Sequence, residues 1–205
     1  IRQPVLIAKQ LSSVAVISKD RFTFGIGLSP WIEDFEVTQS QWDGRGQRMD
    51  EMIEIIRGLL TGNYFGFKGK FYQLPSIKIC PVPTKKIPFL MGGHSEAALK
   101  RAAKSLDGWT SAGLEFNETK RIMNRLTELR DEYGTLNKDF YNLTMGPECY
   151  TPEGVTKLED IGINECAVAF RDTYAGEEDN RTLEGMLAEI EYYSESVIKI
   201  VNKLD

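Results

Sequence analysis

The chain has 205 residues, 41% hydrophobic and 27% charged, with 25 basic and 30 acidic side chains and a net charge of −5. That length supports a sizeable core, and the acidic balance argues against nucleic acid or an anionic membrane as partner. The cysteines Cys80, Cys149 and Cys166 lie far apart and His94 is the single histidine. No metal site and no disulfide framework are expected, which suits a reducing, cytoplasmic setting, and no apolar run reaches the ~20 residues of a membrane span.

The sequence opens at Ile1, inside what reads as an element, so an upstream part is expected to be missing. Pro4 suits a first helical turn, and Val5, Ala8, Leu11 and Ala15 recur at helical spacing, predicting a helix over 4–17. Arg21 to Gly27 reads as a strand ending in glycine. Gly25 and Gly27 either admit a close neighbour to the backbone or simply serve a tight strand end or barrel-interior packing. Residues 28–44 form a long irregular loop, a length that usually has a task. Its Trp31, Phe35 and Trp42 either line a pocket or pin the loop down.

A helix follows over 45–60, with Met49, Met52, Ile53, Ile56 and Leu59 on one face and Gly62 as its stop. Glu51 and Glu54 are expected on solvated faces. Alternating aromatics around Lys68-Gly69-Lys70 predict a β-hairpin near 63–74. The apolar run Ile87 to Met91 reads as a buried strand, followed by Gly92-Gly93, a helix opened by Ser95 and closed at Asp107-Gly108, and a strand over 108–112. This is one βαβ unit. Its glycine turn places backbone N–H groups at a helix N-terminus, where anions bind well. Ser95 is an N-cap or a phosphate ligand, and a plain strand-to-helix turn is the alternative.

Further on, Asn117 caps a helix over 118–133 with Ile122, Leu126 and Leu129 inward. Strands are expected at 141–145 and 164–170, separated by a helix from Pro152 that stops at Gly162. Residues 171–180 read as a mobile acidic loop, and a helix over 182–204 carries a stripe of Leu183, Met186, Leu187, Ile190, Val197, Val201 and Leu204. The regular alternation predicts a parallel sheet covered by helices. Its five strands fit the last part of a (β/α)8 TIM barrel lacking its first three βα units, or a five-stranded open sheet.

Three ordered stretches resemble the luciferase-like monooxygenase superfamily of flavin- or deazaflavin-dependent enzymes. The first is Arg21-Phe-Thr-Phe-Gly-Ile-Gly with Trp31-Ile-Glu-Asp-Phe-Glu. The second runs from Arg45-Gly-Gln-Arg-Met-Asp-Glu through Leu60-Thr-Gly to Phe67-Lys-Gly-Lys-Phe-Tyr. The third is Pro88-Phe-Leu-Met-Gly-Gly-His-Ser with Ala97 to Trp109. The resemblance covers residues 1–113 in motif and the remainder in layout. It implies one domain over 1–205 holding strands four to eight of the barrel.

The resemblance also implies a site. The cofactor phosphate would sit at Gly92, Gly93, His94 and Ser95, with Met91 also binding the cofactor, and its ring would lie along the strand end Gly25, Ile26, Gly27, Leu28 and Ser29. Arg45 would approach the phosphate and Trp31 would face the substrate. The implied activity is F420-dependent hydride transfer to or from a small organic substrate. An FMN-dependent monooxygenase and a shortened, non-catalytic flavin-binding relative are the alternatives. A homodimer is expected. Glu33 and Asp34 are candidate acids or solvated loop charges, and no catalytic acid or base is assigned.

Overall fold

Residues 2–111, 113–171, 176 and 180–202 are described by a computed structural model. The chain divides into two compact units, Ile1–Phe89 and Leu90–Asp205. The first unit is built on α1 (Pro4–Ile17) and α3 (Arg45–Leu60), both with the bounds their periodicity predicts. Ala8, Leu11 and Ala15 on one helix and Met49, Ile53, Ile56 and Leu59 on the other are buried. The short strand β1 (Phe24–Ile26) is tied to the incoming end of β4 (Phe89–Gly92). The Phe24 N–H donates to the Pro88 carbonyl at 2.9 Å, and the Phe24 and Phe89 rings meet edge-on at 5.3 Å.

The expected loop 28–44 is not wholly irregular, because α2 (Ile32–Val37) forms within it. Periodicity misses so short a helix, which is anchored by one buried residue, Phe35. The hairpin is present as β2 (Phe65–Lys68) and β3 (Gln73–Ile77), with Phe67 opposite Leu74.

In the second unit β4, β5 (Gly108–Thr110), β6 (Tyr141–Thr144) and β7 (Glu165–Cys166) form a parallel sheet. Leu90 pairs with Gly108, Trp109 with Asn142 and Thr144 with Cys166. The helices α4 (Glu96–Ser105), α5 (Phe116–Glu132) and α6 (Pro152–Asp160) alternate with these strands, as expected for a parallel α/β fold.

Three expectations need correction here. Helix α5 begins at Phe116 rather than after Asn117, because Glu148 Oε1 accepts the Phe116 N–H at 3.1 Å and satisfies the helix start from outside. Strand β7 is two residues long, not seven: Ala167 donates to the Thr144 carbonyl and pairing ends there. The last helix, α7 (Leu183–Tyr193), passes through a π-helical turn at Ser194–Ile198 into α8 (Lys199–Val201). Of its apolar stripe only Val197 is buried, while Leu183, Leu187 and Ile190 remain exposed. Ala112, Leu204 and most of the 171–180 loop lie outside the described residues.

Candidate functional site

A cavity of about 690 Å³ opens in the first unit, within the size range of small-molecule pockets. It is formed where β1 ends and the chain turns into α2. One wall is apolar, from Leu11 on α1 and Met49, Met52, Ile53 and Ile56 on α3. Gly25, Ile26, Gly27 and Leu28 at the end of β1 line it as well. A Cβ placed on Gly25 or Gly27 would meet no described atom within 4 Å, and neither glycine has a positive φ. Among the described residues that space is open, which leaves room for a flat group along the strand.

Besides Arg2, Gln10, Ser29 and Thr38, the cavity takes charged groups from α3 and α2. On α3, Arg45 and Arg48 line it three residues apart, on one helical face. Stacking over the Trp42 ring at 3.6 Å fixes the Arg45 guanidinium. Trp42 in turn meets Phe35 edge-on at 4.9 Å, so both aromatics pin the loop, and Phe35 also lines the cavity. Arg48 Nη2 donates to the Gln41 carbonyl. From α2 come Glu33 and Asp34. Ser29 Oγ donates to Asp34 Oδ2 at 2.5 Å and accepts the Trp31 N–H at 3.2 Å. Asp34 is therefore engaged in shaping the loop. Trp31 is 55% exposed and is not among the cavity-lining residues, although its neighbours Ser29 and Glu33 are.

The other expected site residues, Met91 to Ser95, lie in the second unit. Phe89, Leu90 and Met91 are buried in β4, and the chain emerges at Gly92. Gly93 has φ +116°, a conformation other residues rarely adopt, and it turns the chain into α4. Ser95 is the N-cap of α4, and its Oγ accepts the Ala98 N–H at 3.3 Å. The amides ahead of Ala98 belong to the group that helix geometry leaves without intrahelical partners.

Glu96 brings a negative charge into this first turn, yet its carboxylate is drawn away. Arg125 from α5 binds it at 2.8 Å and Lys100 at 3.4 Å, which holds it below the usual carboxylate range. His94, exposed at the turn, sits 6.4 Å from the Trp109 ring.

Sequence reasoning used Trp109 only as a strand residue. It is fully buried, and its Nε1–H donates to the Gly93 carbonyl at 3.0 Å, locking the glycine turn from beneath. The signal was available, since a buried indole needs an acceptor and the glycine turn is one strand away. The role of Glu51 was also missed. Rather than being solvated, its carboxylate accepts the backbone N–H groups of Lys70, Phe71 and Tyr72 at 2.7, 2.9 and 3.0 Å. No group of three or more histidine, cysteine or acidic residues suited to a metal occurs among the described residues.

With this geometry in place, comparisons with known proteins are informative. The luciferase-like monooxygenase family matches residues 1–153. An uncharacterized protein of Mycobacterium tuberculosis is 42% identical over 97% of this chain and 68% of its own length. An FMNH2-dependent dimethylsulfone monooxygenase of Pseudomonas fluorescens is 30% identical over 62% of this chain and 35% of its own. An F420-dependent glucose-6-phosphate dehydrogenase of Amycolatopsis mediterranei is 28% identical over 52% of this chain and 33% of its own.

Among solved structures, the monooxygenase RslO1 of Streptomyces bottropensis superposes with a TM-score of 0.61 at 18% identity, over 78% of this chain. That likeness shows the fold, the α/β architecture expected of luciferase-like enzymes. The chain spans half the length of RslO1 and about a third of each of the two named enzymes.

Proposed function

The chain belongs to the luciferase-like monooxygenase family, and from that premise we propose that it contributes the cofactor-binding part of an F420-dependent oxidoreductase acting on a small organic substrate. The observation that carries the reading is the open glycine strand end. Gly25 and Gly27, with no described atom within 4 Å of an added Cβ, line a cavity that also has an apolar wall and three arginines, Arg2, Arg45 and Arg48. A flat, anionic cofactor needs such a surface, one that excludes water from the ring face and supplies cations for the charge. The residues present therefore fit a flavin-type group.

Gly25, Ile26, Gly27 and Leu28 are assigned to the ring. Within the first unit Arg45 is assigned to an anionic group; within the second, the turn Gly92, Gly93, His94 and Ser95, with Met91 before it, is by itself a candidate for phosphate. The bound cofactor supplies hydride transfer to or from a carbon of the substrate. The part played by this chain is positioning. Trp42 holds the Arg45 plane, Trp109 holds the Gly93 carbonyl, and Met49, Met52 and Ile53 keep water from the cavity wall.

F420 is preferred because the Phe-Gly-Ile-Gly-Leu strand end and the Met-Gly-Gly-His-Ser turn resemble the deazaflavin-using branch, and several relatives are named F420-dependent dehydrogenases. FMN is the second reading, supported by the 30% identity to an FMNH2-dependent enzyme. Isothermal titration of the purified protein with each cofactor separates them. Binding of F420 in preference to FMN is expected, and FMN binding without F420 binding overturns the preference. Binding of neither favours a chain that does not hold the cofactor by itself.

A further inference from the structure

The hairpin β2–β3 meets α3 at two places, at Phe65 beside Gly58 and at the turn between the strands. That turn docks on the first two turns of the helix, the stretch that supplies Arg45 and Arg48 to the cavity. Three backbone N–H groups, from Lys70, Phe71 and Tyr72, converge on the Glu51 carboxylate at 2.7–3.0 Å. Charge-assisted bonds of this kind are the strong ones. The approach is close enough that a Cβ on Gly69 would lie 2.4 Å from Glu51 Oε2.

Held in this way, Phe71 brings the tip of its ring to the helix start, where a Cβ on Gly44 would come within 2.8 Å of its Cζ. The same ring lies 5.8 Å from the Arg48 guanidinium carbon. The charges of Arg48 and Glu51 are both felt at Tyr72, whose phenol burial pushes above its ordinary value; Arg48 opposes that rise and Glu51 adds to it. Arg48 is therefore bracketed by the Gln41 carbonyl on one side and the hairpin turn on the other. One of its five donors goes to Gln41, leaving a planar fork that still has donors for a ligand.

We propose that Glu51 is a positioning residue: by holding the turn Lys70–Tyr72 it sets Phe71 against Gly44 and beside Arg48, and so fixes the Arg48 guanidinium at the cavity wall to receive an anionic group of the ligand. This rests on the reading above only in taking the cavity as a ligand site. It gives the hairpin a task, since the insertion becomes a brace for a cavity it does not line.

The test uses Glu51→Gln, which keeps the shape and removes the charge, and Phe71→Leu, which keeps the Glu51 bonds and removes the ring. Side-chain 15N relaxation of the Arg48 Nε–H is read without ligand, with Arg125, paired to Glu96 in the second unit, as control. In both variants the Arg48 order parameter is expected to fall below about 0.6 while Arg125 is unchanged. Isothermal titration with F420 and with FMN should show the dissociation constant of the bound cofactor rising about tenfold, the scale of one charged contact misdirected. Glu51→Gln should add nothing in an Arg48→Ala background, because the two act as a unit.

An Arg48 that stays ordered in both variants overturns the proposal, as do losses that add in the double variant. If the unmodified protein binds neither F420 nor FMN, the cofactor reading falls, while the relaxation data still decide whether Glu51 positions Arg48.

Discussion

Replacing Gly25 with valine separates a ligand surface from a structural glycine. Gly25 lies in the middle of β1, its φ is not in the left-handed region, and a Cβ there meets nothing described within 4 Å. The folded chain should therefore accept the side chain. A β-branched residue in a strand replaces the most flexible one, a gain of about 0.5–1 kcal/mol relative to glycine. For a chain of this size that corresponds to a rise in Tm of roughly 1–4 °C. Circular dichroism melts should show that rise or no change.

Binding should respond in the opposite direction. Valine adds three carbons to a surface on which, in the proposed reading, a planar ring lies in contact. Overpacking of that kind costs about 1–3 kcal/mol, so the cofactor dissociation constant should rise by roughly tenfold to a hundredfold. Titration of the unmodified and Gly25→Val proteins with F420 and FMN reads this directly. A fall in Tm would show that the space is filled in the folded protein. An unchanged dissociation constant alongside an unchanged Tm would refute the placement of the ring along β1.

Two further outcomes follow from the second unit. Ser95→Ala removes the acceptor of the Ala98 N–H and should cost about 1 kcal/mol by urea denaturation; a loss of cofactor affinity beyond that cost would make Ser95 a phosphate ligand as well as a cap. The Cys149 thiol is lowered to about 7, chiefly by a hydrogen bond from Cys166, whose own titration is pushed up by the same contact and by burial. Folding therefore releases a proton from the pair between about 7 and the ordinary thiol value of 9.0, and the pair's contribution to stability should rise with pH across that window. Above 9.0 the sign reverses, because Cys166 keeps a proton that the unfolded chain has lost. Cys166→Ala should move the Cys149 thiolate absorbance transition upward and abolish the rise in stability. A transition that stays near 7 would assign the lowering to the backbone at Gly146 instead.

What the sequence made legible divides along a physical line. Helices α1 and α3 carry their own instructions. A proline or a glycine marks an end, and apolar residues recur every third or fourth position, so both were found with the bounds the structure shows. Strand β4 was legible as an apolar run, and β5 and β6 as short segments between helices. Features that depend on a distant partner were not. The start of α5 is decided by Glu148, 32 residues away, and the role of Glu51 by amides 19 to 21 residues on. A carboxylate on the polar face of a helix gives no sign of what will dock there. The stripe on α7 shows the converse limit, since periodicity marks a face suited to burial and cannot say that a described partner covers it.

The two glycine motifs of the candidate site differ in the same way, and the difference decides which is informative about function. Gly93 is required before any ligand arrives. Its φ of +116° turns β4 into α4, its carbonyl is held by Trp109, and an added Cβ would touch Ala98 at 3.4 Å. A bulky residue there carries a strain of about 1–3 kcal/mol whether or not a phosphate binds, so a loss of affinity could come from backbone strain alone. Gly25 and Gly27 have no such requirement in the folded chain. Nothing in the conformation of β1 or its described surroundings calls for glycine, and no described side chain fills the space they leave. The sequence pointed most strongly to the turn at Gly93, where glycine is explained by the fold. The weaker motif at Gly25-Ile-Gly27 is the one the fold leaves unexplained, and there the case for a bound ring is strongest.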